Sequence, residues 1–596
     1  MSLAATLRSL VSGAAWRARW GSVRLRAHQR LRVLRPRGPA EWATSVLLAA
    51  VLGAYLVHWA RGNSGMLFDP LLQTDDARTV IFPFHRHAPG APLADDPIAL
   101  EMLDYVPYGV RWLYALIVPA VGVLVATKVV QALALAVLLA AAVVLATTPG
   151  LGLPAAGLLL FFVLRDVTQV DRIAGGLPRA FAFPCFALWI AGAMARRRGA
   201  RAAGVLLAAL SYPSTMLMLL AAEALLLLRG LGSRGVAVAL RRARWLGGLT
   251  LACAVLIAPA VGGDPSRGPL HTLEQARGEP AFGPAGRLRV LPLPDARREV
   301  GPAGFGVLGA SGGSPWPAVA ARVRDYDAPA ALALGAGLAV IVIAGWAPVP
   351  WVAVALLAGV WLTYGVAHVF AFRLYAPERV YSFGMHAAVT ALVVGMLARV
   401  GARWRHRRGR LLRSLAATAV IAGTVVALGD GVRDRVGMTI DRRPLAPLWD
   451  FFAGLPSNTR VASHPMDGDD IPLWSARANM GGFETLQPWF VGSWARQRAR
   501  TEDTLGALYA TDRAEVLAYA RRHRVTHLLL NADRYAGDVA GRAGSFEPLT
   551  AYARKLLQGR RATELVLAAP PQGAVVFRLG KWSVVDVARL EQAWAE

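Results

Sequence analysis

Long apolar runs recur through the first 430 residues of this chain, and they limit its fold more than any other feature. Trp42 to Trp59, Gly109 to Thr147, Ala202 to Leu228, Trp245 to Val261 and Tyr381 to Leu397 carry few charges. Each is about as long as a membrane crossing, or longer. With 55% hydrophobic residues and a mean hydropathy of +0.41, the chain reads as a polytopic membrane protein. Its two cysteines, Cys185 and Cys253, fall inside apolar runs and read as small buried hydrophobes, with no disulfide framework or metal spacing.

A net charge of +27 would suit a nucleic-acid partner, but its distribution excludes one. The arginines gather in blocks between the apolar runs, at Arg17 to Arg37, Arg196 to Arg198 with Arg201, Arg241-Arg242 with Arg244, and Arg403 to Arg413. That is the positive-inside pattern of cytoplasmic loops facing anionic lipid. No nucleic-acid motif accompanies it.

These blocks set an expected topology. Residues 1–40 form a basic cytoplasmic arm with no cleavage site before the first span. Residues 41–430 form the membrane domain, with about ten to twelve crossings and external loops at 61–108 and 262–328. The run Gly109 to Thr147 is expected to divide at Lys128. Leu153 to Leu164 is short and reads as re-entrant, and Ala202 to Leu228 is then broken at Tyr212-Pro213-Ser214. Two spans end at Phe370, with a turn near Pro348 between them. Spans at Tyr381 to Leu397 and Leu415 to Leu428 complete the domain.

Residues 431–596 change character and read as a small extracytoplasmic α/β domain. Strands are expected at Arg460 to Ser463, Thr526 to Leu530, Glu564 to Leu567 and Ala574 to Leu579. A helix opening at Thr511 through a capping box runs to His523. The fold class is thus mostly α, a transmembrane helical bundle with a small C-terminal α/β domain.

Chemistry concentrates at the outer ends of the spans. Gln73-Thr74-Asp75-Asp76-Ala77-Arg78 follows the first span, and ionisable clusters beside a bilayer mark function more often than those on an ordinary surface. Transfer to a hydroxyl needs a base, which Asp75 or Asp76 could supply. A departing lipid phosphate needs cations or donors, and Arg78, His85, Arg86 and His87 lie in the same loop. His85-Arg86-His87 also has the look of a metal-ligand pair, without further spaced ligands. A second candidate is Gly175 to Phe181, a turn that brings Arg179 to the mouth of a span. A third is Phe372 to Tyr381, where Arg373, Glu378 and Arg379 stand against the positive-inside bias. A fourth, His464 to Asp470, resembles a calcium loop only loosely and reads as a polar turn. No P-loop, dinucleotide fingerprint or serine-hydrolase elbow is present.

In their order these pieces resemble the GT-C superfamily of membrane glycosyltransferases. Thr74 to Arg78, Leu177 to Phe181, Pro377-Glu378-Arg379 and Thr526 to Leu529 resemble a bacterial group of GT-C-like architecture. The resemblance implies a multi-pass inner-membrane enzyme of the cell envelope, moving a sugar from a polyprenyl-phosphate donor to an acceptor on the external face. Asp75 or Asp76 would map to the catalytic acid, and the resemblance favours Asp75, since the first acid of this loop usually takes that role in the superfamily. The implied partners are the polyprenyl-linked donor and membrane lipid, with no nucleic acid. No cofactor is fixed, and a divalent metal stays open. The alternative is a non-catalytic envelope-assembly protein or a lipid or polysaccharide transporter. A transporter would carry pseudo-repeats and ionisable residues midway along its spans, whereas these spans are mostly plain Ala, Leu and Val. The topology predicts that reporters fused after Arg201, Arg244 or Arg410 behave as cytoplasmic and those after Gly481 as external. A cytoplasmic signal from the C-terminal region would overturn it.

Overall fold

The computed structural model describes residues 39–149, 151–165, 172–228, 236–259, 265–288, 349–374, 377–405 and 439–596. The arm before residue 39, most of the loop expected at 262–328, the first of the two spans ending at Phe370 and the span at Leu415 to Leu428 lie outside the described residues.

The first part of the chain is a helical bundle. Its helices are Pro39–Gly62, Tyr108–Val121, Val123–Ala146, Gly152–Arg165, Ala182–Met194, Arg198–Ser211, Pro213–Leu228, Val236–Ile257, Trp351–Phe370 and Pro377–Arg405. Several are apolar on every face, as buried or lipid-facing helices must be. Among the described residues, Val123–Ala146 and Arg379–Arg399 are long and apolar enough to cross a membrane, and six more apolar helices are shorter. Consecutive helices from Ala182 to Ile257 pack on one another. Trp351–Phe370 lies between Pro213–Leu228 and Pro377–Arg405.

The break expected at Lys128 falls earlier, at Gly122, whose φ of +75° ends one helix and starts the next. Lys128 stays inside the second helix. Its Nζ donates to the carbonyls of Met66, 3.0 Å, and Leu72, 2.5 Å, so the charge marks a contact and not a boundary. The run Ala202 to Leu228 does break, at Tyr212, just before Pro213.

The C-terminal domain holds a five-stranded sheet in the order β4-β3-β5-β7-β6. Its strands are β3 (Arg460–Ser463), β4 (Ala478–Asn479), β5 (His527–Asn531), β6 (Val575–Leu579) and β7 (Trp582–Asp586). β3 runs parallel to both β4 and β5, while β7 is antiparallel to β5 and β6. The helix Arg513–His523 is capped by Asp512, which accepts from the Ala514 N–H at 2.9 Å. Two expectations need correction. Glu564 to Leu567 is no strand: a 3₁₀ turn ends at Glu564, and Leu565 and Leu567 point into the core from irregular backbone. The strand missing from the expectation is β7.

Strand pairing and a shared apolar core both join bundle and domain. β1 (Leu72–Thr74), in the first loop, pairs antiparallel with β2 (Thr439–Asp441) at the start of the domain. One buried apolar cluster also runs from the bundle through Ile81, Phe82 and Phe84 to Ile471, Leu473 and Trp474.

Beneath β1 lies a turn built on Gly175 (φ +81°) and Gly176 (φ +67°). The Gly175 N–H donates to Gln131 Oε1 at 2.9 Å, and the Gly176 carbonyl accepts from the Tyr114 hydroxyl at 2.9 Å. A Cβ on Gly175 would strike the Thr74 side chain. Gly90 has a similar φ of +78° but faces open space. Left-handed strain of about 1–2 kcal/mol is common to alanine at either site. We expect Gly175→Ala to lower the melting temperature clearly more than Gly90→Ala. Equal shifts would show that Thr74 does not press on the turn.

Candidate functional site

β1 delivers Asp75 and Asp76 to a bend before the short helix Ala77–Val80, and the two carboxylates part company there. Asp76 turns to the bundle. Its Oδ2 pairs with Nη1 of Arg179, which sits on the 3₁₀ turn Pro178–Phe181 directly after the two glycines. Arg379, in the first turn of Pro377–Arg405, and Arg172 add to the positive field at this carboxylate. The Arg172 guanidinium also lies 5.6 Å from the centre of the Phe383 ring. Burial pushes the Asp76 carboxyl up, but the Arg179, Arg379 and Arg172 guanidiniums outweigh it and hold it below the usual range. Asp76 is therefore ionised, paired with Arg179 and within the positive field of Arg379 and Arg172.

Asp75 turns the other way, to Arg78. The Arg78 guanidinium also lies 3.7 Å from Asp469, 3.5 Å from Asp470 and 3.8 Å from Glu484, all in the C-terminal domain. Arg287 pairs with Glu484 at 2.9 Å, and Arg442 with Asp470 at 2.6 Å. Burial pushes Asp469 up to about 8; Arg78 opposes this, and Glu484 and Asp470 add to it. Burial also raises Asp470 and Glu484 against their arginine partners. Arg78 itself is favoured as a cation, because the acids outweigh its loss of solvent.

The other expected site residues are placed as follows. His85 is a link between bundle and domain: its Nε2 lies 2.9 Å from the Leu473 carbonyl. Burial lowers its pKa to about 4, so it is neutral and cannot serve as a cation. His87 stacks on Phe84, with ring centres 6.3 Å apart. Arg373 is exposed on the 3₁₀ turn Ala371–Leu374, and Glu378 lies in the first turn of Pro377–Arg405. No contact joins Arg86, His87 or Arg373 to Asp76 among the described residues. The structure thus pairs Asp76 with Arg179, sets Arg379 within the field at that carboxylate and assigns Arg78 to a different cluster.

Sequence reasoning passed over Arg172, Arg287, Arg442 and Glu484, whose only signal is their position in the fold. It noticed Asp469 and Asp470 but read them as a polar turn. They are buried at the junction of two short helices, Pro465–Gly468 and Asp470–Ser475. The acids of this cluster converge on the Arg78 guanidinium. Among the described residues, no three ligand-type side chains surround a point that a metal could occupy.

No family profile and no curated protein sequence matches the chain. Solved structures do. The chain is similar to ArnT from Cupriavidus metallidurans in the apo state, at 14% identity and a TM-score of 0.45, over 92% of this chain and 99% of that one. It is similar to the same protein bound to undecaprenyl phosphate, at 16% identity and a TM-score of 0.45, over 92% and 98%. It is also similar to the Archaeoglobus fulgidus oligosaccharyltransferase in complex with Zn and sulfate. There the identity is 13% and the TM-score 0.43, over 85% of this chain and 70% of that one.

The buried acid cluster has a pH signature. Asp469 has a pKa of about 8 in the fold, against ~3.9 in an unfolded chain, so the folded state binds its proton more tightly. Its contribution to stability is complete below about pH 4, falls as pH rises and is gone above about pH 8. Asp469→Asn, which is always neutral, should flatten the fall in melting temperature between about pH 5 and pH 8.5. An unchanged slope would remove Asp469 as its source.

Proposed function

We propose that this chain is a multi-pass membrane glycosyltransferase of the GT-C type that takes its sugar from a polyprenyl-phosphate-linked donor. The observation that carries the reading is the pairing of Asp76 with Arg179 in the field of two more arginines. An ionised carboxylate and the arginines Arg179, Arg379 and Arg172 come from three separate segments to one end of an apolar bundle. Such a bundle gives a lipid tail an apolar path. The arginines at its end suit the phosphate.

In this reading Asp76, and not Asp75, is the base. Asp75 is committed to Arg78, in a cluster that holds the C-terminal domain in place. The acceptor hydroxyl attacks the anomeric carbon and gives its proton to Asp76. The bond from that carbon to the phosphate oxygen breaks, and the polyprenyl phosphate leaves with its added charge on Arg179 and Arg379. The same arginines that depress the Asp76 pKa would be neutralised by a bound phosphate. Its carboxylate would become more basic as the donor arrives. The acceptor is an envelope component on the external face, where the positive-inside pattern puts the first loop and residues 431–596.

Purified protein with polyprenyl-phosphate sugars tests this. Removing a base costs roughly 10²–10⁴-fold in rate, and Asp76→Asn should fall in that range while remaining folded. Arg179→Ala should chiefly raise the donor KM, and Asp75→Asn should lose stability before it loses turnover. Full activity of Asp76→Asn, in an assay where wild type turns over, would end this assignment.

A further inference from the structure

A second site lies in the C-terminal domain, on the far side of Asp470 from Arg78. The chain leaves β3 for β4 on one flank and later enters β5 on the other. The carboxyl ends of β3 and β5 therefore flank a topological switch point, the place where open parallel sheets bind ligands. A cleft of about 420 Å³ opens there, lined from the β3 side by Met466 and Asp467 and from the β5 side by Asn531, Asp533 and Arg534. Trp582, Arg442 and Arg542 are among its other walls. Its volume is that of a small-molecule site.

The charges in the cleft indicate what would bind. Each carboxylate already has a partner. Asp467 is gripped at both oxygens by Arg534, at 3.0 and 3.1 Å. Asp533 pairs with Lys581 at 2.6 Å, and Asp470 with Arg442 at 2.6 Å. Arg542 has no carboxylate partner among the described residues and spends one N–H on the Asp533 carbonyl, at 3.0 Å. The Trp449 side chain is 3% exposed, and its Nε1–H is buried without an acceptor. Each carboxylate of the cleft is thus ion-paired while, among the described residues, the Arg542 guanidinium is not, so a fitting ligand brings at least one anionic oxygen.

The ring faces narrow the class. Trp449 is buried and stacks on Trp474, with ring centres 6.4 Å apart. Trp582 is half-buried and offers part of its ring to the cleft, with Lys581 Nζ 5.6 Å from the ring centre. A ring beside cations suits a sugar with its C–H face and its hydroxyl edges. A nucleotide fits poorly. The glycine turn whose backbone N–H groups cradle a dinucleotide pyrophosphate is missing, since the turn after β3 is His464-Pro465, which has no glycine and loses an N–H to proline. We propose that this cleft binds an acidic saccharide through Arg542 and the ring of Trp582. Naming that saccharide the acceptor of the transfer reaction rests on the function proposed above. The binding itself does not.

The test uses the full-length protein in detergent, titrated with a tetrasaccharide of galacturonic acid and, in parallel, with a tetrasaccharide of glucose. The acidic chain should bind, with the neutral one at least about tenfold weaker, the loss expected for one charge-assisted contact. Trp582→Ala and Arg542→Ala should each weaken the acidic chain by a similar factor. Trp582→Phe, which keeps a ring face, should restore most of the first loss and guards against simple misfolding. No binding of either chain, or binding indifferent to both Trp582→Ala and Arg542→Ala, overturns the proposal. Equal binding of the neutral chain overturns its acidic part. Asp76→Asn separates the two proposals, since it should abolish transfer and leave saccharide binding intact. Transfer that survives Asp76→Asn, with binding still dependent on Trp582, would sink the catalytic assignment and leave this site standing.

Discussion

The rest of the structure depends on the Arg78 guanidinium as a shared counter-ion. Asp75 reaches it from the first loop, and Asp470, Glu484 and Asp469, the last mostly protonated at neutral pH, from the C-terminal domain. Its side chain is only 11% exposed, so little solvent screens these charges. A surface ion pair is worth about 0–1 kcal/mol, whereas breaking a buried one by removing a partner costs about 3–5 kcal/mol, since it strands the remaining charge. Arg78 thus works as a non-covalent cross-link. The first loop cannot shift without stripping the domain's acids of their cation, and the domain cannot lift without exposing Ile81, Phe82 and Phe84.

That anchoring fixes Asp76. Once Asp75 is tied to Arg78, the next carboxylate is set on the opposite side of the bend, toward Arg179. The Gly175-Gly176 turn approaches the same point from below, because only glycine lets that backbone close on Thr74. Two adjacent residues of one type therefore acquire different roles from their surroundings alone, one structural and one facing the arginines. The two clusters also sense each other, since the Glu484 carboxyl is raised by burial and then by the Asp75 and Asp76 charges as well as opposed by its arginines. On the proposed reading, a phosphate bound at Arg179 and Arg379 would change the field at Asp76 first and at Glu484 next.

Much of this was legible in the sequence. Apolar runs showed the helices, because a helix without a polar face is visible in composition alone. The break at Tyr212-Pro213 was legible for the same local reason, since proline removes an N–H. The acids after the first apolar run stood out, and so did Arg179 and Arg379. What could not be read is non-local. A charge at Lys128 looks like a break until the carbonyls of Met66 and Leu72 are seen beneath it. Glu564 to Leu567 alternates as a strand does, yet its leucines reach the core from turns. β7 is a strand because β5 and β6 flank it, and the sequence of Trp582 to Asp586 does not announce them. Apart from Asp75, the partners of Arg78 lie in the region of residues 469–484, and no spacing rule links them to position 78.

Asp470 relates the two proposed sites to each other. One face of its carboxylate meets Arg442 in the cleft, and the other meets Arg78 behind it. The wall between cleft and loop is therefore a chain of alternating charges, Arg442, Asp470, Arg78 and Asp75. An anion entering the cleft would draw on Arg442, loosen its hold on Asp470 and leave Asp470 leaning more on Arg78. That in turn would weaken the claim of Arg78 on Asp75, the residue that sets the bend on which Asp76 stands. Coupling of this kind needs no moving domain. It needs only that one guanidinium serve several carboxylates in a place where water cannot substitute for it.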